Sequence, residues 1–134
     1  MSVIVTDTGF GDDDWEAPIV ALEDARDGVG IDLASSMDPL ELAGRLPEIA
    51  MIRVDFPNSG DGRGFSIARK LRLMGYRGRL RARGHVIADQ YTMARRAGFD
   101  EVEISTDLAT RQPEEQWLFR AAWQMHDYQA RLRG

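Results

Sequence analysis

The 134-residue chain contains no cysteine and only two histidines, His85 and His126. The absence of cysteine excludes disulfide bonds, thiol redox chemistry, cysteine nucleophiles and metal or iron–sulfur sites built on cysteine. Two histidines argue against a histidine-rich metal centre, and the sequence has no redox-cofactor motif. We therefore expect neither a metal nor a cofactor.

The chain also lacks long apolar runs. A helix that crosses a bilayer needs about 20 consecutive apolar residues, and a signal peptide needs a basic start followed by an apolar segment. The first seven residues show neither feature. We expect a cytoplasmic protein without membrane contact, and the length predicts a single domain over residues 1–134.

Lysine is nearly absent, because sixteen of the seventeen basic residues are arginines. Residues 1–50 contain twelve acidic and two basic residues, whereas residues 51–100 contain four acidic and eleven basic residues. The arginine fork suits carboxylates, phosphates and sulfur oxyanions. A coding preference explains the number of arginines but not their clustering. The net charge of −5, with an acidic first third, argues against nucleic acid as a partner.

Helical patterns alternate with short apolar strands along most of the chain. Residues 1–17 are expected to form an irregular acidic lead-in. Strands are expected near residues 19–22, 29–33, 50–56, 80–83 and 101–105, and helices near 38–46, 66–74, 86–97 and 113–132. This order predicts an α/β domain with an open, mostly parallel sheet of four or five strands, built from βαβ units and ending in a long C-terminal helix. We expect three layers, with a half-barrel that completes itself by dimerisation as the alternative.

The first candidate anion site is the loop Asp61-Gly62-Arg63-Gly64-Phe65-Ser66. Ligands of parallel sheets bind beyond the carboxyl ends of the strands, where such a loop enters a helix. Its glycines let backbone N–H groups approach an anion, Ser66 begins the helix, and Arg63 adds a guanidinium. The loop has neither Walker nor dinucleotide spacing. The alternative is a tight turn in which Asp61 accepts hydrogen bonds from backbone N–H groups.

The second candidate anion site follows the strand Arg79-Leu80-Arg81-Ala82-Arg83. A period of two places its three arginines on one face, so the strand either lines a cleft or is an edge strand protected by charge. The predicted site comprises Arg81, Arg83, His85, Asp89 and Gln90. Asp89 either orients an arginine of this strand or only favours the helix dipole.

The predicted final helix carries two apolar stripes. One stripe is expected to face the core and contains Trp117, Leu118, Ala121, Ala122, Met125, Tyr128 and Leu132. Phe119, Trp123 and His126 lie on the opposite side. They form a candidate partner or dimer interface, unless the helix is buried on both sides.

Several strings of the sequence resemble a known family: Asp55-Phe56-Pro57, Asp61-Gly62-Arg63-Gly64-Phe65-Ser66, Leu80-Arg81-Ala82, Asp89-Gln90 and Ala97-Gly98-Phe99-Asp100. The family comprises small bacterial proteins of unknown function that are typically encoded beside the assimilatory sulfite reductase, and members are often labelled oxidoreductases of sulfite reduction. The resemblance extends from Asp12-Asp13-Asp14-Trp15 to Tyr128-Gln129. This chain has His85 where the family usually has Asp, and Ala97 where it usually has Cys. The resemblance implies a pathway rather than a reaction.

Two functions follow as hypotheses. The preferred one is an accessory protein of sulfite reduction that binds sulfite reductase or another redox partner, with a homodimer through the C-terminal helix as a further possibility. The alternative is a small oxyanion- or phosphate-binding protein or enzyme that uses Arg63, Arg81 and Arg83. Convergence of these arginines in one pocket would favour the alternative, and their spread over a convex face would favour the partner-binding role.

Overall fold

A computed structural model of the chain describes residues 2–121 and residue 123. Within these residues the chain forms seven β-strands and four α-helices. The strands are β1 Ser2–Thr6, β2 Gly9–Gly11, β3 Ile19–Ala21, β4 Gly30–Leu33, β5 Met51–Phe56, β6 Arg79–Gly84 and β7 Glu101–Ser105. The α-helices are α1 Arg63–Leu73, α2 Tyr91–Ala97, α3 Thr106–Arg111 and α4 Glu114–Arg120. Short 3-10 turns lie at Leu22–Asp24, Pro39–Leu42, Leu46–Glu48 and Ala88–Gln90.

All seven strands form one sheet in the order β2-β1-β7-β6-β5-β4-β3. Strands β3 to β7 run parallel to one another, and β1 runs antiparallel to both β2 and β7. The prediction of an α/β domain with a mostly parallel sheet is confirmed. The predicted number of four or five strands is too low, because it omits the two strands of the N-terminal hairpin, β1 and β2.

This hairpin also corrects the expectation of an irregular lead-in over residues 1–17, which is wrong for residues 2–11. Val3, Ile4 and Val5 are β-branched residues that favour a strand, and Val5 pairs with Val102 of β7. The chain then reverses before Gly9, whose φ of +112° is a conformation that favours glycine. The composition of residues 1–17 does not indicate this strand, because acidic residues follow it.

The helices pack on one face of the sheet. Strands β3 to β7 follow one another in sequence order, so each right-handed crossover steps in the same direction and leaves its connection on the same face. Buried residues of all four helices belong to one apolar cluster with strand residues such as Val54 and Ala82. The expectation of three layers is therefore wrong for the described residues. Sequential strand order is that of a barrel segment, as in the half-barrel alternative.

Two of the predicted helices differ from the observed elements. Helix α1 begins at Arg63 with Gly62 as its N-cap, so Ser66 lies inside its first turn instead of capping it. Asp38 caps the start of the segment that was expected to be a helix near residues 38–46, because its Oδ1 accepts the N–H of Leu40 at 3.0 Å. The segment that follows Asp38 is only a short 3-10 turn.

The long C-terminal helix expected from residue 113 begins as α4 at Glu114, and a further short helix, α3, precedes it. Helices α3 and α4 are separated by Gln112 and Pro113, and α4 is described as far as Arg120. The remainder of the predicted helix, residues 122 and 124–134, lies outside the described residues. None of the helices that the structure describes is long and apolar enough to cross a membrane.

Candidate functional site

The sheet face opposite the helices, here called the charged face, carries a row of ionised side chains. Alternation along the strands sends Leu80, Ala82 and Val102 toward the helices and the residues between them to the other side. The charged face contains Asp32, Arg53, Asp55, Arg79, Arg81, Arg83, Glu101 and Glu103. Strand β6 lies between β5 and β7, so the alternative that it is a protected edge strand is wrong.

Arg81 lies at the centre of the charged face and has no solvent exposure. Its Nε donates to Glu101 Oε2 at 2.5 Å, its Nη1 to Glu103 Oε1 at 2.8 Å and its Nη2 to Asp13 Oδ1 at 3.0 Å. Burial opposes the charged form, but the hydrogen bond to Asp13 and the charge of Glu101 outweigh it and raise the pKa of Arg81. The guanidinium is therefore a structural cation held by three carboxylates.

Two of the carboxylates on this face come from residues 12–16, here called the acidic segment. Asp13 accepts from Arg81, and Asp14 accepts from Arg79. The guanidinium of Arg79 also lies 5.9 Å from the ring centroid of Trp15. Hydrogen bonds from Arg81 and Arg79 lower the pKa of Asp13 and of Asp14, respectively. The acidic first third of the chain thus neutralises part of its arginine-rich centre within the molecule.

Glu103 links the centre of the charged face to its neighbours. Its Oε1 accepts from Arg53 Nη1 at 3.1 Å, and its Oε2 accepts from Ser2 Oγ at 3.2 Å. Arg53 in turn makes a bidentate pair with Asp32 at 2.6 and 2.8 Å. The hydrogen bond to Asp32 raises the pKa of Arg53 despite its partial burial. Charges on the middle of the face are therefore paired across the four strands β4 to β7.

A cavity of about 440 Å³, here called the carboxyl-end cavity, opens where β5, β6 and β7 end. Exposed Pro57 and a small part of Leu108 supply apolar surface, and Phe56 and Ile104 line the cavity with almost no exposed area. The cavity is also lined by polar and charged groups: Ser2, Asp55, Arg83, His85, Glu103, Ser105 and Arg111. It occupies the position at which parallel sheets bind their ligands.

The cations of this cavity are less constrained than Arg81. Arg83 Nη1 lies 3.7 Å from Asp55 Oδ1, and Arg83 Nε lies 3.5 Å from Glu103 Oε2. Both distances exceed those of good hydrogen bonds, and the Arg83 side chain is 49% exposed. The side chains of His85 and Arg111 have no hydrogen bond or ion pair within residues 2–121 and 123. Donors on all three side chains are therefore free for a ligand.

Gly84 shapes the rim of the cavity. Its φ is +118°, and a Cβ at this position would lie 2.6 Å from the Phe56 carbonyl oxygen. The same carbonyl accepts the backbone N–H of His85 at 3.0 Å. The ends of β5 and β6 are thereby held together, and only glycine allows this close approach.

The loop 61–66 has the geometry of a tight turn. Arg63 pairs with Asp61 through Nε at 2.9 Å and Nη2 at 2.7 Å, and Nη2 also donates to Ser35 Oγ at 3.0 Å. The Arg63 hydrogen bond holds the pKa of Asp61 well below its usual range. A Cβ on Gly64 would lie 2.4 Å from the Phe56 ring, whereas Gly62 has open space around it.

The three arginines named as anion ligands do not share one cavity. Arg63 lines a separate cavity of about 320 Å³ with Ser35, Ser66 and Lys70. Arg83 lines the carboxyl-end cavity, and Arg81 is buried among carboxylates. Within the described residues no group of three or more histidine, aspartate or glutamate side chains is placed to hold a metal ion.

Comparison with protein families matches residues 30–133 to a family described as bacterial proteins of unknown function, DUF934. The chain belongs to the DUF934 family. The comparison with curated proteins found no match. In this DUF934 protein the matched region contains the strand ends that form the cavity, whereas β1, β2, β3 and the acidic segment precede it.

Asp89 and Gln90 of the DUF934 protein position helices and loops. Asp89 Oδ1 accepts from Arg120 of α4 at 3.1 Å, so it does not orient an arginine of β6 in this structure. Gln90 Oε1 accepts the Ile87 N–H at 3.0 Å, and its Nε2 donates to the Ser59 carbonyl at 2.7 Å. Gln90 thus ties the loop after β5 to the start of α2.

The residues of the predicted partner interface differ in their surroundings. Phe119 is 70% exposed. Trp123 instead contacts its own chain, with Nε1 3.4 Å from Asp7 Oδ2 and its ring 5.0 Å from the Arg95 guanidinium. His126 lies outside the described residues. On the predicted core stripe, Trp117 is buried, whereas Leu118 is 41% exposed.

Sequence reasoning did not single out three residues of the cavity: Asp55, Glu103 and Arg111. Asp55 directly precedes the end of β5, and Glu103 is paired in register with Arg83, so a strand alignment of β5 to β7 would have found both. Arg111 is the last residue of α3. Its sequence neighbourhood carries no signal, because only the fold of α3 over the end of β7 brings it to the cavity.

Proposed function

We propose that this DUF934 protein binds a small oxyanion in the carboxyl-end cavity. The observation that carries the proposal is that Arg111 and His85 line the cavity without a side-chain partner in the described part of the chain, beside the loosely paired Arg83. Arginine donors are arranged for the bidentate recognition of such anions.

The cations of the cavity leave hydrogen-bond donors for an anion. Asp55 and Glu103 lie 3.7 and 3.5 Å from the Arg83 guanidinium. The remaining N–H groups of Arg83, together with Arg111 and His85, are left for an anion. Arg63 and Arg81 are not part of this proposal, because Arg63 lines a different cavity and the buried Arg81 is surrounded by carboxylates.

The resemblance to proteins encoded beside sulfite reductase makes sulfite and sulfate the first anions to test. Isothermal titration calorimetry with sulfite, sulfate and phosphate measures the affinity directly. We expect Arg111→Ala to weaken binding at least about tenfold, because a charged hydrogen-bond donor is lost. Arg26→Ala removes an exposed arginine of a distant loop and serves as the matched control.

Two results would overturn this function. One is the absence of binding at millimolar concentrations of all three anions. The other is an equal loss of affinity in Arg111→Ala and Arg26→Ala, which would show only nonspecific attraction to the arginines.

We propose as a second candidate an accessory role in sulfite reduction, in which helix α4 contacts a partner redox enzyme. It is favoured by the exposure of Phe119 and Leu118 on this helix. Both proposals assume the cytoplasmic location expected from the sequence.

Retention of purified sulfite reductase on the immobilised protein tests this second candidate. We expect Phe119→Ser to reduce retention, whereas Leu73→Ser, which alters an equally exposed apolar residue of α1, leaves it unchanged. Equal retention by wild type and Phe119→Ser would contradict the role of α4. Sedimentation of the same variants would show whether α4 mediates a homodimer instead.

A further inference from the structure

The carboxyl-end cavity contains a carboxylate, Asp55, that is only loosely paired and that an inorganic anion would not contact favourably. Asp55 is 46% exposed, and its ion pair with Arg83 is 3.7 Å long. A carboxylate has about four lone-pair directions for hydrogen bonds. Glu103 differs, because it is only 8% exposed and accepts hydrogen bonds from Arg53 and Arg81. Asp55 is therefore the acid of this cavity that is available to a ligand.

The size of the cavity also exceeds that of an inorganic oxyanion. One water molecule occupies about 30 Å³ in the liquid, so a cavity of about 440 Å³ has room for many more atoms than the four of sulfite. Pro57, which is exposed, and the 7% exposed part of Leu108 present apolar surface within it, whereas Phe56 and Ile104 are only 1% exposed. Such surface favours a ligand with a carbon body.

The charges are distributed so that a ligand of mixed charge complements them. Arg111 and His85 offer donors to an oxyanion, whereas Asp55 repels a second negative group and attracts a cation. An ammonium group is a donor that matches a carboxylate in charge as well as in hydrogen bonding.

We infer that the ligand of the carboxyl-end cavity is an aminoalkyl oxyanion, such as an aminoalkanesulfonate. Its oxyanion lies against Arg111 and His85, its ammonium group against Asp55, and its carbon chain on the apolar surface between them. The inference rests on the proposed oxyanion-binding function and specifies its ligand class.

Calorimetric titration with matched ligands tests the inference. The probes are 2-aminoethanesulfonate and 3-aminopropanesulfonate, each compared with the alkanesulfonate of the same length. We expect at least one amine to bind about tenfold more tightly than its amine-free counterpart. Asp55→Asn should abolish this preference, whereas Asp27→Asn, at an exposed loop residue, should retain it.

Comparison within each variant separates a lost ammonium contact from a general disturbance of Arg83, because both members of a ligand pair use the same cations. Arg111→Ala should weaken both members of each pair equally. This result would assign the oxyanion to Arg111 and the ammonium group to a different residue.

The outcomes distinguish the inference from the function on which it rests. Equal affinity for amine and amine-free sulfonates, or a preference that persists in Asp55→Asn, overturns the inference and leaves the oxyanion function standing. Binding of sulfite or sulfate without binding of any sulfonate has the same consequence. Failure of all sulfonates together with sulfite, sulfate and phosphate overturns both.

Discussion

The middle of the charged face and its carboxyl end both carry arginines and carboxylates, which form short ion pairs in the middle and long ion pairs at the end. Arg81 has no exposure and bonds to three carboxylates at 2.5–3.0 Å. Arg83, two residues later on the same face, is half-exposed, and its ion pairs are 3.5 and 3.7 Å long. The difference arises because the acidic segment covers Arg79 and Arg81 but does not reach the strand ends. Spacing places an arginine on a face, and distant acids determine whether it remains available.

The largest effect is expected when the central cation is removed. Arg81→Met leaves Glu101 and Glu103 buried without their main partner, which typically costs about 3–5 kcal/mol. Arg83→Met should cost less than about 1 kcal/mol, as exposed pairs do. Urea unfolding at pH 7 measures both free energies of unfolding.

Arg81→Lys extends this test if Arg81→Met fails to fold. Lysine keeps the charge but not the fork, so an intermediate stability is expected. Equal stability of the Arg81 and Arg83 variants would contradict the distinction between a structural and an available arginine.

The next effect concerns the loop 61–66, in which the structure assigns Gly64, but not Gly62, to close packing. Gly64→Ala forces a Cβ into the Phe56 ring, and overpacking of about 1–3 kcal/mol exceeds the gain of about 1 kcal/mol in helix propensity. Gly62→Ala has open space and should change stability by less than about 0.5 kcal/mol. Thermal or urea unfolding of the pair measures this difference, and similar stabilities would argue against the close approach.

A smaller effect is expected when Arg83 is replaced, and it concerns the affinity for an anion, not the free energy of unfolding. Arg83→Met should weaken sulfite or sulfate binding about tenfold, near 1.4 kcal/mol, because a charged donor is lost. Calorimetry at constant ionic strength provides the measurement. Unchanged affinity, with normal stability, would place the anion elsewhere in the cavity.

The smallest effect is a pH dependence that originates in the acidic segment. The hydrogen bond from Arg81 lowers the pKa of Asp13, so the unfolded chain binds protons more readily than the folded one. The stabilisation is complete above the unfolded pKa of about 3.9 and is lost as pH falls through the lower folded pKa.

Asp13→Asn should therefore flatten the rise of stability with pH in this acidic range. The change should be below about 1 kcal/mol, because the carboxylate is partly exposed and screened. Urea midpoints measured from pH 6 downward test this expectation. An unaltered pH profile would show that Asp13 does not act through its charge.

Much of the parallel sheet follows from the sequence alone. Strands β5, β6 and β7 each show an apolar residue at every second position, and the alternation of arginines along β6 correctly predicts one charged face. The hairpin of β1 and β2 escaped prediction although Val3, Ile4 and Val5 favour a strand, because acidic residues follow them and the sheet partner β7 lies about a hundred residues later.

The candidate site was predictable only in part. Arg83 and His85 follow from their place at a strand end, and both line the carboxyl-end cavity. The burial of Arg81 was not predictable, because Asp13 lies 68 residues away in sequence. The pairing of Arg63 has a local cause, since Asp61, two residues before it, accepts from its Nε and Nη2.

The position of β1 between β2 and β7 has a consequence for the order of folding. Residues 2–6 and their partner on the sheet, Glu101–Ser105, lie about a hundred residues apart in the chain. Pairing across so long a sequence separation slows folding. Wherever β1 is not yet paired, β7 presents an unpaired strand edge to other chains. The N-terminal hairpin thus covers an edge at which separate chains would otherwise pair.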